Sequence, residues 1–119
     1  MHATLTSVIS LLFGHWIGDF LLQWDSLAKQ KRTSVYWLGL HVLIYSVVIL
    51  GFALYLMPFK VALLFGSANA VLHFFTDLVT RRFAARFSAT PRKLFMIIGF
   101  DQLIHTATLI SLLEYFWPR

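Results

Sequence analysis

H-W-I-G-D-F-L-L-Q, residues 15–23, places a histidine, an aspartate and a glutamine inside an apolar run long enough to cross a membrane. His15 and Asp19 are four residues apart, so on a helix they share one face and can meet. Ionisable groups in a membrane span are costly, and they mark functional sites by default. The same spacing recurs at His73 and Asp77, and in reverse order at Asp101 and His105.

The rest of the chain supports a membrane reading. Of 119 residues, 59% are hydrophobic and 13% charged, which excludes an ordinary soluble domain. Mean hydropathy is +0.74. No cysteine is present, so disulfides, zinc ribbons and thiolate-ligated clusters are excluded. Four apolar segments stand out, at about 4–24, 36–57, 59–79 and 94–117, each near the ~20 residues a spanning helix requires. Helices satisfy the backbone without water, so the expected fold is all-α, an integral membrane four-helix bundle forming one domain over 1–119. Pro58 marks a tight turn between the second and third spans. The first apolar run has no basic n-region and no convincing cleavage site, so a cleaved signal peptide is not expected.

The net charge of +5 is concentrated in two connections. Asp25 to Val35 carries Lys29, Lys31 and Arg32, and Thr80 to Lys93 carries Arg81, Arg82, Arg86, Arg92 and Lys93. The opposite side has only Lys60, Arg119 and the amino terminus. The positive-inside rule then puts both basic connections in the cytoplasm and both termini on the non-cytoplasmic side. The charge therefore reports topology, and nucleic acid is not an expected partner. Trp24, Tyr36, Trp37, Tyr115 and Trp117 fall at span ends, where aromatic rings suit the membrane interface. His2 reads as a solvated residue, Asp25 as the end of the first helix and Glu114 as interfacial. Gly14, Gly18, Gly39, Gly66, Ser67 and Ala70 read as close-packing positions, and the phenylalanine-rich surfaces as lipid-facing.

Depth unites the polar residues. At 1.5 Å per residue, Asp77 and His73 fall about 6 and 12 Å inside the cytoplasmic end of their helix. Asp19 and His15 fall at about 9 and 15 Å, His41 at about 10 Å, and Asp101 and His105 at about 13 and 20 Å. The reversed order in the last span is what an antiparallel bundle needs to keep every aspartate shallow and every histidine deep. H-W-I-G-D-F and H-F-F-T-D-L also hint at an internal repeat, each being followed by a basic connection and a further helix with one histidine.

Three carboxylates brought together in low dielectric repel one another and are expensive to desolvate. A divalent cation removes both penalties. The candidate ligands are His15, Asp19, His41, His73, Asp77, Asp101 and His105, a set that suits zinc, iron or manganese and is large enough for two ions. Asp19, Asp77 and Asp101 are the candidate catalytic carboxylates. Gln23 and Gln102 are placed to hydrogen-bond ligands or substrate. Lys29, Lys31, Arg81 and Arg82 sit near the cytoplasmic mouth, where they suit a phosphate or an anionic headgroup and serve equally as topology signals. Tyr45, four residues after His41, reads as packing or a hydrogen bond. The plainer alternative for each pair is a structural hydrogen bond between helices.

H-W-I-G-D-F-L-L-Q at 15–23, L-A-K-Q-K at 27–31, H-V-L-I-Y at 41–45, H-F-F-T-D at 73–77 and F-D-Q-L-I-H at 100–105 together resemble DUF3307, a family of small bacterial and phage integral membrane proteins of unknown function. The resemblance covers nearly the whole chain. It implies a four-helix protein of the bacterial inner membrane and no established activity. A lysine expected soon after Asp77 is replaced by Arg81 and Arg82. The motifs are also distantly similar to membrane-bound metal-dependent hydrolases, which implies chemistry only by analogy.

Four functions remain open on the sequence. The first is a metal-dependent hydrolase acting on a phosphorylated or lipid-like substrate, with membrane lipid as its partner. The second is ion or proton transport, for which the outer halves offer little beyond Ser46, Ser67, Asn69, Thr106, Thr108 and Ser111. The third is haem electron transfer, which has no use for three carboxylates. The fourth is a structural protein that binds no metal. Short helices leave little room for a closed cavity, so a homo-oligomer is one way to complete a site.

Overall fold

The computed structural model describes residues 3–118, and the expectations for His2 and Arg119 lie outside it. The described chain is helical. α1 covers Leu5–Trp16 and runs on into a π-helical turn, Ile17–Leu21. α2 is Asp25–Gln30, α3 Val35–Leu56, α4 Phe59–Arg86 and α5 Pro91–Phe116. α3, α4 and α5 are long and apolar enough to cross a membrane, and the segment Leu5–Leu21 is a shorter apolar helix.

Local chemistry sets the boundaries. Thr4 caps α1, its Oγ1 accepting from the Ser7 amide at 3.1 Å. Pro58 forces Met57 into extended backbone and separates α3 from α4. Pro91 at the start of α5 does the same to Thr90. Two connections are shorter than the charge pattern suggested. T-R-R-F-A-A-R has no glycine or proline and is rich in helix formers, so α4 runs to Arg86 and only 87–90 links it to α5. D-S-L-A-K-Q is also helical. Asp25 does not simply end the first helix: it opens α2, and Lys29 lies in the last turn, both matching the helix dipole. At 1.5 Å per residue α4 is about 42 Å long, against ~30 Å of hydrocarbon, so its arginine-bearing end can extend beyond the apolar layer.

α3 packs on α1 and α4, α4 on α5, and α5 back on α1. The buried stripe of each helix changes character partway along. α5 buries Asp101 and His105, then Leu109 and Leu113. α3 buries His41 and Tyr45, then Ile49 and Ala53. In α4, Ala62 and Phe65 lead to His73 and Asp77. One half of the interior is thus an apolar core of Leu11, Ile49, Ala53, Phe65, Leu109 and Leu113, and the other half is polar. At the apolar end the Ala3 amide donates to Glu114 Oε1 at 2.7 Å, tying α1 to α5.

The outer surface is apolar as well. Leu43, Val47, Leu64, Val71, Phe75, Phe100 and Leu103 are each more than half exposed, the pattern of helices meeting lipid. Phe65 departs from the lipid-facing expectation for phenylalanine, being fully buried. The small residues divide. A Cβ on Gly14 would stand 2.8 Å from Phe52 Cδ2, and one on Gly18 would stand 2.9 Å from Tyr45 Cδ2 and 3.2 Å from Tyr45 Cα. These two glycines let α1 lie close against α3. Gly66 makes ordinary contact with Leu50, but Gly39 faces open space and Ser67 is exposed, so neither is a close-packing position.

Candidate metal centre

The π turn delivers the first carboxylate. Leu22 N donates to Ile17 O at 2.9 Å, an i+5 bond that admits one extra residue to the turn and resets the helix face at Asp19. Asp19 Oδ1 lies 2.9 Å from His41 Nε2 on α3 and 3.8 Å from His73 Nε2 on α4. Asp77 Oδ2 lies 3.3 Å from each of those two nitrogens, which are themselves 3.3 Å apart. All four residues are buried.

These distances have a simple reading. Ligands about 2.0–2.1 Å from a central ion in a regular tetrahedron are about 3.3–3.4 Å from one another. Asp19, His41, His73 and Asp77 each offer one ligand atom, all within 4.8 Å of one another, and five of the edges span 2.9–3.8 Å. Hydrogen bonding alone does not account for the arrangement. Asp77 Oδ2 is buried and accepts no hydrogen bond, although two imidazole nitrogens stand 3.3 Å away. Four ligand-type atoms so close together could hold a metal ion.

A second set shares Asp77. His105 Nε2 lies 2.8 Å from Asp77 Oδ1 and 3.2 Å from Asp101 Oδ2. Asp77, Asp101 and His105 again offer ligand atoms within 4.8 Å of one another. Asp77 therefore turns one oxygen to each set. The Nε2 atoms of His41 and His73, 3.3 Å apart among carboxylates, leave no space for a haem plane between them.

His15 is placed differently from the other candidate ligands. Gln102 Nε2 donates to Asp19 Oδ2 at 3.0 Å and to Asp101 Oδ2 at 3.3 Å, which turns Gln102 Oε1 toward His15 Nε2 at 2.8 Å. That oxygen only accepts, so His15 Nε2 carries the proton. His15 Nδ1 then accepts from the Tyr45 hydroxyl at 2.8 Å. Both ring nitrogens are engaged. His15 sits behind the candidate ligand carboxylates and reaches Asp19 and Asp101 through the Gln102 amide that braces both.

The three i, i+4 pairs do meet, at 3.9 Å for His15–Asp19, 3.3 Å for His73–Asp77 and 3.2 Å for Asp101–His105. The shortest contacts, however, cross between helices. Each aspartate of the repeated motif receives the histidine of the next long helix, His41 on Asp19 at 2.9 Å and His105 on Asp77 at 2.8 Å. The repeat seen faintly in the sequence thus recurs in the contacts.

The carboxylates floor a cavity of about 110 Å³, lined by Asp19, Asp77 and Asp101 and rimmed by Lys31, Arg32 and Arg81. Gln23 and Gln102 also line it, whereas Lys29 and Arg82 are exposed and do not. Lys31 Nζ reaches to 3.9 Å from Asp77 Oδ2, so a lysine does approach this aspartate, from the α2 connection rather than from α4. Arg81 Nη1 donates to Lys31 O at 3.2 Å and holds that connection over the site. Two contributors were missed in the sequence. Thr80 donates to Asp101 Oδ1 at 2.6 Å, and its position on the 73, 77, 80, 84 face of α4 was a usable signal. Arg32 lines the cavity through a turn that no local pattern announces.

The sequence model of a family described as protein of unknown function (DUF3307) matches residues 7–119, and the chain belongs to that family. No curated protein and no solved structure matches it.

Proposed function

We propose that this DUF3307 protein is an intramembrane, metal-dependent phosphoester hydrolase. It is a four-helix bundle of the bacterial inner membrane, with its termini outside and the cavity open to the cytoplasm. The observation that carries this reading is the near-tetrahedral convergence of Asp19 Oδ1, His41 Nε2, His73 Nε2 and Asp77 Oδ2. Asp77 bridges to the second set, made with Asp101 and His105. A site with four protein ligands is closed and structural in character, and one with three keeps a position for water or substrate. The three-ligand set is therefore the reactive one. Divalent ions there would lower the pKa of water and offset the charge of a phosphoryl group.

The chain's own residues complete the chemistry. Lys31, Arg32 and Arg81 bind phosphoryl oxygens at the rim. Asp101, in the cavity wall and held by Thr80, takes a proton from the attacking water. The water oxygen bonds to phosphorus, the ester P–O bond breaks, and the proton passes from Asp101 to the leaving oxygen. Gln102, locked by His15 and Tyr45, keeps Asp19 and Asp101 apart and aimed. The apolar core beyond the cluster favours this reading over a conduit, since Leu11, Ile49, Phe65, Leu109 and Leu113 fill the remaining depth.

Elemental mass spectrometry tests the reading on protein purified in detergent without chelators, wild type beside His73→Ala, followed by a screen of phosphoesters. Stoichiometric metal in the wild type, with the ion of the four-residue set lost in His73→Ala and metal-dependent turnover abolished in Asp101→Asn, is the expected result. Metal-free wild-type protein would make the cluster a structural network.

A further inference from the structure

A second hollow, of about 770 Å³, lies between α4 and α5 on the outer surface. Its walls are Phe75, Val79 and Phe83 from α4 and Met96, Phe100 and Ile104 from α5. It contains no charged side chain, and Thr76 and Thr80 are its polar residues. Two of its residues, Thr80 and Ile97, also line the cavity above the carboxylates. The polar cavity and the apolar groove therefore share a wall, and Thr80 in that wall holds Asp101 at 2.6 Å. From Phe83 to Phe75 the groove follows α4 for about 12 Å, descending from the arginine-bearing end toward the level of His73.

A membrane enzyme whose substrate dissolved only in water would need the basic mouth alone. Here a cavity with a basic rim of Lys31, Arg32 and Arg81 above a carboxylate floor adjoins a neutral furrow that runs along the helices into the apolar layer. That is the charge pattern of one amphiphile, anionic at one end and hydrocarbon along the rest. Resting on the hydrolase reading above, we propose that the substrate is a phosphoryl ester of a long hydrocarbon chain. Its phosphoryl group sits among Lys31, Arg32 and Arg81, and its chain lies in the α4–α5 groove, entering sideways past Thr80 and Ile97. Hydrolysis leaves the chain alcohol in the groove and releases inorganic phosphate through the basic mouth to the aqueous side.

The test separates the seat of the chain from the chemistry. Wild-type protein in phosphatidylcholine nanodiscs is titrated with methylphosphonate and with decylphosphonate, neither of which has an ester bond to cleave. Val79→Trp and Met96→Trp fill the groove from opposite walls and leave the cavity residues in place. Because partition of the long probe into the disc is common to all samples, the informative quantity is each variant's affinity relative to wild type. Decylphosphonate is expected to weaken at least tenfold in both variants while methylphosphonate shifts less than twofold. Equal effects on the two probes, or none on either, overturn the proposal, whether or not the protein hydrolyses anything. Chain-selective binding without turnover of any long-chain phosphate monoester keeps the groove assignment and removes the hydrolase reading. The chain has no cysteine, so Val79→Cys supplies a single thiol. Efficient disulfide dimers at that position in native membranes would assign the groove to a second copy and overturn the proposal too.

Discussion

Asp77→Asn is the most informative single substitution. It preserves size, removes the charge, replaces one oxygen by an NH2 group that cannot ligate and weakens the other. Asp77 is the residue common to both sets, with Oδ2 3.3 Å from His41 and His73 and Oδ1 2.8 Å from His105. Asp19 belongs only to the four-residue set and Asp101 only to the three-residue set. Wild-type protein is therefore expected to hold two ions, Asp19→Asn and Asp101→Asn each to lose affinity at one set only, and Asp77→Asn to lose it at both. Losing even an outer partner of a metal ligand costs roughly 10–100-fold in affinity, so loss of a ligand sits at or beyond the upper end. With free metal at 100 times the dissociation constant, binding stabilises each site by about 2.7 kcal/mol. A 100-fold weaker site at that concentration is about half filled and contributes only about 0.4 kcal/mol. The assay is metal stoichiometry after equilibrium dialysis at fixed free zinc, manganese or iron(II), with thermal unfolding of the same samples. Full metal content in Asp77→Asn would refute the bridging role, and equal losses in Asp19→Asn and Asp101→Asn of both ions would reduce the two sets to one.

Further outcomes follow from the same geometry. Tyr45→Phe removes the hydroxyl that donates to His15 Nδ1 and leaves a buried acceptor unpaired, so stability should fall by about 1–3 kcal/mol and metal affinity by less than the roughly 10-fold of a direct ligand partner, read by unfolding and dialysis. Gly18→Ala should destabilise by about 1–3 kcal/mol, because its Cβ meets the Tyr45 backbone at 3.2 Å, whereas Gly39→Ala, with open space around it, should be neutral or stabilising by up to about 1 kcal/mol. Single cysteines at Ser26 and Ala89 should react with a membrane-impermeant thiol reagent only from the cytoplasmic face, and one at Lys60 only from the opposite face; the reverse pattern would invert the topology.

The membrane-suited helices, their approximate bounds and the polar face of each could be read along the chain, because they rest on local properties: runs of apolar residues, proline breaks and the spacing of His15–Asp19, His73–Asp77 and Asp101–His105. The extension of α4 to Arg86 was less legible, since positive charge marks where a helix leaves the membrane and not where it stops being a helix. What only the tertiary structure decided is which polar group answers which. The i, i+4 rule brings a histidine toward its own aspartate, yet the shortest contacts, His41 to Asp19 and His105 to Asp77, cross between helices. Those pairings depend on the rotation of each helix about its axis, on the π turn that re-aims Asp19 and on the closeness that Gly14 and Gly18 allow between α1 and α3. His15 shows the consequence. Its spacing is the same as that of His73, but its surroundings turn it to Tyr45 and Gln102, while His73 faces the point where the ligand atoms converge. Spacing along a helix sets which side chains share a face; the packing of that face against its neighbours sets what each one does.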